Sequence, residues 1–86
     1  MSDKLFTLNM LEKGDTGKVV SLESEGAIRR RLQDIGIIDG TLVSCVGRSP
    51  FGDPKAYLVR GSVIALRNID SKNIKIIKAN KKNKSD

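Results

Sequence analysis

Residues 55–67 read KAYLVRGSVIALR, and this stretch is the strongest indication of the fold. Its aliphatic and β-branched side chains are typical of strands, and Gly61 interrupts them once. We therefore predict one strand over residues 55–60 and a second over residues 62–67. Because side chains alternate between the two faces of a strand, the first strand has two possible core-facing pairs, either Tyr57 and Val59 or Ala56 and Leu58.

Further strands are predicted on both sides of this pair. Residues 49–54 are dense in Pro, Gly and Asp, which indicates a loop. The remaining apolar-rich segments predict strands over residues 17–24, 41–47 and 73–78. A short extended lead-in followed by one turn of helix is expected from the three-residue spacing of Leu5, Leu8 and Leu11.

One helix is predicted, over residues 25–35. Its apolar positions Ile28, Leu32 and Ile35 recur at i, i+4 and i+7, and this spacing places them on one face of the helix. The Ser24 side chain is expected to cap the first turn, and Gly36 is expected to end the helix in a left-handed conformation. The result is a mainly β fold, a small and partly open barrel of about five strands with one inserted helix.

The chain has 86 residues, which is enough for one domain with one core. We predict a single domain over residues 1–77 and a basic, disordered tail over residues 78–86. This tail holds four lysines and one aspartate, so it carries +3 of the net charge of +6 and has no large apolar side chain. The body of the domain is therefore only mildly basic.

The chemistry available to the chain is restricted. Histidine is absent, which removes the commonest general base and the commonest transition-metal ligand. The single cysteine, Cys45, lies on a predicted strand, where we expect it to be a small buried apolar residue. Neither a nucleophile–base pair nor a metal-ligand spacing is present. We predict a protein that is not an enzyme and that has no cofactor and no metal site of its own.

The location follows from what the sequence does not contain. No apolar run reaches the length of a membrane-spanning helix, and the first residues lack the apolar stretch of a signal peptide. With one cysteine, no internal disulfide can form, which fits a reducing compartment. We expect a cytoplasmic protein, and the lysines of the tail leave open a contact with the anionic surface of the inner membrane.

The densest charge in the body of the domain is Arg29-Arg30-Arg31, on the predicted helix. Arg29 and Arg30 should point away from the apolar face, whereas Arg31 should border it. These residues can form a solvated face balanced by acidic neighbours on the helix, or they can contact an acidic partner, because guanidinium groups pair well with carboxylates. We take Arg29, Arg30 and Arg31 as the candidate partner-binding residues.

The order of turn residues is distinctive. The first pattern, Leu-x-x-Leu-x-x-Gly-x-x-Gly-x-Val, begins at Leu8, and the second, Arg-Arg-Leu-x-x-Ile-Gly-Ile-x-x-Gly, begins at Arg30. Three shorter patterns follow: Pro-x-Gly-Asp-Pro from Pro50, Val-x-Gly from Val59 and Ala-Leu-Arg-x-x-Asp from Ala65. This set resembles the FeoA family of bacterial ferrous iron transport. The resemblance runs from about Leu5 to Ile77.

The resemblance implies an SH3-like barrel and a partner, the FeoB-type ferrous iron permease, whose cytoplasmic G domain binds GTP. The predicted function is therefore a non-enzymatic adaptor that docks on the cytoplasmic part of FeoB and modulates its activity or assembly. The basic composition leaves open a small nucleic-acid-binding barrel, and the iron pathway leaves open a metal-sensing module. In the family motifs, Arg67 and Asp70 are expected to organise a turn.

Overall fold

The computed structural model describes residues 5–79, which form one antiparallel six-stranded sheet with a short helix inserted after its second strand. The strands are β1 (Phe6–Thr7), β2 (Thr16–Leu22), β3 (Leu42–Arg48), β4 (Lys55–Val59), β5 (Ser62–Leu66) and β6 (Ile74–Lys78). The helices are a 3-10 helix (Leu8–Met10), α1 (Gly26–Asp34) and the four-residue α2 (Asn68–Ser71). The mainly β prediction with one inserted helix is confirmed.

The strands lie in the order β1-β6-β2-β3-β4-β5 across the sheet. The sixth strand, beyond the five predicted, is β1, which consists of two residues of the expected extended lead-in and pairs with β6. Residues 68–72, predicted as a turn, contain the short helix α2. The β1 and β5 strands are therefore the two edges of the sheet among the described residues.

The hairpin of β4 and β5 turns at Arg60 and Gly61, whose φ angles are 51° and 87°. A two-residue loop with positive φ at both positions matches the twist of the strands it joins. The strands run without a register shift from Val59 opposite Ser62 to Lys55 opposite Leu66. Tyr57 and Val59 are buried, so the structure selects this pair for the core.

The core lies on one face of the sheet and is covered by the 3-10 helix and by α1. Fully buried side chains come from every strand except β1 and β5, and from both of these helices, among them Leu8, Val19, Leu32, Val43, Tyr57 and Ile76. In β2, Gly17 lies against Ile76 of β6, where a Cβ atom would come within 2.5 Å of the Ile76 Cδ1 atom. A side chain at this position would have to displace the core.

The start of α1 differs from the prediction. Glu25, with extended backbone angles, occupies the N-cap position, and among the described residues no side chain forms a capping hydrogen bond with α1. The Ser24 hydroxyl is buried and has no hydrogen-bond partner among the described residues. The predicted Ser24 cap is therefore wrong, because the helix begins one residue later than a cap at Ser24 requires.

The end of α1 agrees with the prediction. Gly36 has a φ of +105°, its N–H donates to the Gln33 carbonyl at 3.0 Å, and the Ile37 N–H donates to the Leu32 carbonyl at 2.9 Å. These two bonds form a Schellman motif, and the buried side chains of Leu32 and Ile37 supply its apolar contact. The motif fixes the direction in which the chain leaves α1 toward β3.

Lys78, placed at the start of the tail by the sequence, is the last residue of β6. Its ammonium lies 3.6 Å from an Asp15 carboxylate oxygen and 5.0 Å from the centre of the Phe6 ring. The rest of the predicted tail after Ala79 lies outside the described residues. None of the three helices within residues 5–79 is long and apolar enough to span a membrane.

Candidate interaction surface

The three arginines of α1 are exposed but have different surroundings. The Arg29 Nη1 atom donates a hydrogen bond to the Leu22 carbonyl at 2.7 Å, which ties α1 to the end of β2. Arg30 has no such bond within the described residues. Arg31 borders the apolar stripe of the helix, as its spacing predicts.

The acidic neighbours on α1 do not neutralise these arginines. Within residues 5–79, none of the three guanidinium groups forms an ion pair, neither with Glu25 nor with Asp34. An exposed guanidinium with no carboxylate partner keeps its full charge for an incoming anion, and its planar fork suits a carboxylate. Arg30 and Arg31 are therefore available for an external contact, whereas Arg29 already has a structural one.

A groove of about 290 Å³ separates α1 from β5 and α2. Its lining combines polar groups with three half-buried apolar side chains, which are Ile28 of α1, Ile35 at the C-cap of α1 and Ile64 of β5. Arg31 forms part of the helix side. Binding sites in proteins are usually concave and combine apolar side chains with a few placed polar or charged groups.

The end of the groove is formed by the start of α2, where Arg67 and Asp70 line it. The Arg67 carbonyl accepts hydrogen bonds from the N–H groups of Asp70 at 2.9 Å and Ser71 at 3.0 Å, which closes the turn. The Asp53 carboxylate accepts a bond from the Asn68 N–H at 2.8 Å. The backbone of Arg67 and Asp70 thus forms the first turn of the helix α2 where a turn was predicted, and their side chains add one positive and one negative charge to the groove.

A second pocket, of about 340 Å³, lies beside the first residues of β4. It contains Lys55, which is 8% exposed and donates from Nζ to the Asn9 carbonyl at 2.6 Å and to the Leu11 carbonyl at 2.8 Å. These bonds join the 3-10 helix to the sheet. The sequence reasoning missed this residue, although the alternation that places Tyr57 and Val59 in the core also places Lys55 on the same face.

The remaining reactive groups are part of the core. Burial raises the pKa of Tyr57 to about 12, while the nearby Ser71 hydroxyl acts in the opposite direction. The Tyr57 hydroxyl is 3.5 Å from the Leu8 carbonyl, at the limit of a hydrogen bond. Cys45 is buried, as predicted. Within residues 5–79, no three side chains of the His, Cys, Asp or Glu type are grouped so as to hold a metal ion.

Comparison with known protein families matches residues 6–78 to the FeoA domain. The chain belongs to the FeoA family. The match covers all six strands, α1 and the groove. The family is associated with ferrous iron transport, which agrees with the resemblance seen in the turn residues.

Two solved FeoA structures share the fold. The chain superimposes on an FeoA-like protein from Clostridium acetobutylicum with a TM-score of 0.83 and 30% identity, covering 99% of this chain and 98% of that one. It superimposes on the FeoA of Stenotrophomonas maltophilia, described as an SH3 domain protein in complex with zinc, with a TM-score of 0.74 and 29% identity, covering 83% and 88%. The SH3-like prediction is confirmed.

A curated relative joins this domain to a transporter. An Fe(2+) transport protein A/Fe(2+) transporter FeoB fusion protein of Porphyromonas gingivalis is 29% identical over 69 residues. The match covers 80% of this chain but 8% of the fusion protein. In that protein, an FeoA domain is covalently attached to FeoB.

Proposed function

We propose that this FeoA domain is an accessory adaptor of ferrous iron uptake, which docks on the cytoplasmic part of a FeoB-type permease. The single observation that carries the proposal is the fusion protein, in which a similar domain and FeoB are one chain. A covalent link raises the local concentration of one part at the other, which matters when the two parts bind each other. A separate domain with the same fold would form the contact in trans.

The docking face that we favour is the exposed side of α1, with Arg30 and Arg31 as contact residues and Arg29 as the residue that holds the helix in place. Both contact side chains lack a carboxylate partner within the described residues. An acidic surface on the permease would supply one. Pairs of this kind give specificity and speed of association more than raw affinity.

The modulation that we propose acts through docking and not through chemistry supplied by this domain. An arginine inserted beside GTP can stabilise the charge that develops in phosphoryl transfer. Of the three arginines, Arg29 is already bound to the Leu22 carbonyl, and Arg31 borders the groove. Only Arg30 has the freedom that an inserted arginine needs, so docking is the better supported role for the set.

The other two functions that the sequence left open have less support. Single-strand nucleic-acid binding uses several aromatic platforms. Here Tyr57 is fully buried and Phe6 is half-buried beneath the Lys78 ammonium, which leaves the exposed Phe51. The metal-sensing alternative has no ligand cluster to support it within the described residues. We therefore retain the adaptor as the proposed function.

The test is a titration of this protein into the purified cytoplasmic region of FeoB, with GTP hydrolysis measured in parallel. The proposal expects saturable binding that persists when residues 80–86 are deleted, because the docking face lies on α1. Unchanged GTP hydrolysis at saturation would exclude an inserted arginine and leave docking in place. Binding that disappears with the deletion would show that lysine electrostatics, not a docking face, hold the two proteins together.

A further inference from the structure

The outer edge of β5 is open among the described residues. The sheet ends at this strand, and no other strand within residues 5–79 pairs with its outer side. The hairpin geometry identifies which of its backbone groups are free. Val59 and Ser62 flank the two-residue turn and form a hydrogen-bonded pair, so every second residue of β5 points its N–H and C=O toward β4. The groups of Val63 and Ala65 therefore point away from the sheet.

This edge lacks the features that usually prevent strand pairing. Natural edge strands carry charged side chains, prolines or bulges, or are very short. The sequence of β5 is Ser-Val-Ile-Ala-Leu, with no charge and no proline, and it pairs with β4 without a register shift. The opposite edge of the sheet, β1, has only two residues. An edge of five uncharged residues is a template for another strand.

The groove described above lies beside this edge. A strand added to β5 would present every second side chain to the groove, whose apolar lining residues include Ile28, Ile35 and Ile64. The charged groups at the border are Arg31, Arg67 and Asp70, which leaves a net charge of +1 at the groove. The arginines favour a segment that carries carboxylates at its ends.

A second copy of this chain is a poor occupant of the edge. Antiparallel pairing of two β5 strands would place two grooves, each with a net charge of +1, side by side. Like charges brought together in this way repel one another. Two copies would also each bring a net charge of +6. The charge of the site thus selects an acidic partner over self-association.

We propose that the β5 edge and its adjoining groove bind an extended, acidic segment of a partner protein by strand addition, with apolar side chains in the groove and carboxylates on Arg31 and Arg67. That this segment belongs to the permease rests on the proposed function. The mode of binding does not, because it follows from the free edge and the charges beside it. The same contact would orient α1 toward the partner.

The probe is a capped seven-residue peptide of sequence ETVTVTE, in which Glu and Val share one face of the strand. Its matched control is KTVTVTK. Amide hydrogen exchange and chemical-shift changes are followed by NMR on the full chain. We expect saturable, millimolar or tighter binding of the acidic peptide and slower exchange at the amides of Val63 and Ala65. The lysine peptide should bind at least about tenfold more weakly, since its lysines would face Arg31 and Arg67 at a groove of net positive charge.

Two kinds of variant test the strand edge and the arginine contact separately. Ala65→Pro removes an outward N–H and should abolish binding, provided that the circular dichroism spectrum shows the fold intact. Arg31→Glu keeps the edge and should weaken the acidic peptide at least about tenfold, whereas Arg48→Glu, an exposed arginine outside the groove, should leave its affinity unchanged.

Three results would overturn the inference. The first is that the acidic peptide does not saturate the protein at millimolar concentration. The second is that both peptides bind equally well. The third is that the β5 amides are already protected in a dimer without peptide. If the cytoplasmic region of FeoB binds while the acidic peptide does not, strand addition fails and the adaptor stands. If the peptide binds at β5 while the FeoB region does not, the adaptor fails and the edge site stands.

Discussion

The contact between Gly17 and Ile76 gives the most direct test of the packing. Gly17 is buried in β2, where it pairs with Val43 of β3 and Lys78 of β6. A Cβ atom at this position would lie 2.5 Å from the Ile76 Cδ1 atom and 3.3 Å from its Cβ atom. Ile76 is fully buried, so its terminal methyl cannot turn into solvent to make room.

Two effects determine the magnitude for Gly17→Ala. Forcing a methyl group into a packed core costs about 1–3 kcal/mol. Replacing glycine by alanine lowers the conformational entropy of the unfolded chain, which stabilises the folded state by about 0.4–1 kcal/mol. The net expectation is a loss of about 0–2.6 kcal/mol in the free energy of unfolding, centred on about 1.3 kcal/mol. Ile76→Val, which deletes the clashing Cδ1 atom, should by itself cost about 0.5–1.5 kcal/mol.

The double variant is the informative one, because the new methyl group then occupies the space that Cδ1 leaves. Its stability should be within about 0.5 kcal/mol of Ile76→Val alone, and not the sum of the two single losses. The assay is urea unfolding of all four proteins, followed by far-ultraviolet circular dichroism. Additive losses, or a Gly17→Ala variant that is more stable than the parent, would refute the close approach of β2 and β6.

Further predictions concern single side chains. Lys55→Met keeps the apolar stem but leaves two carbonyls without their ammonium donor, so the free energy of unfolding in urea should fall by about 2 kcal/mol. Because the folded-state pKa of Tyr57 is raised to about 12, the unfolded chain ionises first. Stability is therefore constant below the unfolded pKa near 10 and should fall by roughly 2 kcal/mol between there and pH 12. The Tyr57→Phe variant should lack the part of this alkaline decline that is due to Tyr57. A dependence of stability on alkaline pH identical to that of the parent protein would contradict the raised pKa of Tyr57. Arg29→Ala should lower stability by about 0.5–1 kcal/mol through the lost bond to Leu22, whereas Arg30→Ala should change it by less than about 0.5 kcal/mol, and equal losses in thermal unfolding would contradict this difference.

Much of the fold could be predicted because local patterns agree with the tertiary structure. The spacing of Ile28, Leu32 and Ile35 predicted a helix over residues 25–35, and α1 runs from Gly26 to Asp34. The turn at Gly61 and the end of the helix at Gly36 follow from conformations that glycine adopts readily. Ser24 failed as a cap because the position of the first helical turn depends on how α1 packs, which a capping residue alone does not determine.

The candidate site was less predictable. The three arginines were found from their density, but the sequence could not show that Arg29 binds a backbone carbonyl seven positions earlier. The groove requires α1 and β5 to be neighbours, and this depends on the sheet order, which the alternation of side chains does not specify. The buried Lys55 illustrates the same limit, because its partners are the carbonyls of Asn9 and Leu11, far away in the sequence.

The central claim is that this domain docks on FeoB through the charged face of α1. Its most direct test is the dissociation constant between the full chain and the cytoplasmic region of FeoB, measured by isothermal titration calorimetry at physiological salt. The parent protein is compared with a double Arg30→Glu and Arg31→Glu variant and with the control Arg48→Glu. We predict that the double variant loses at least about tenfold in affinity and that the control binds like the parent. Equal weakening of both variants, or none in either, would contradict a docking face on α1.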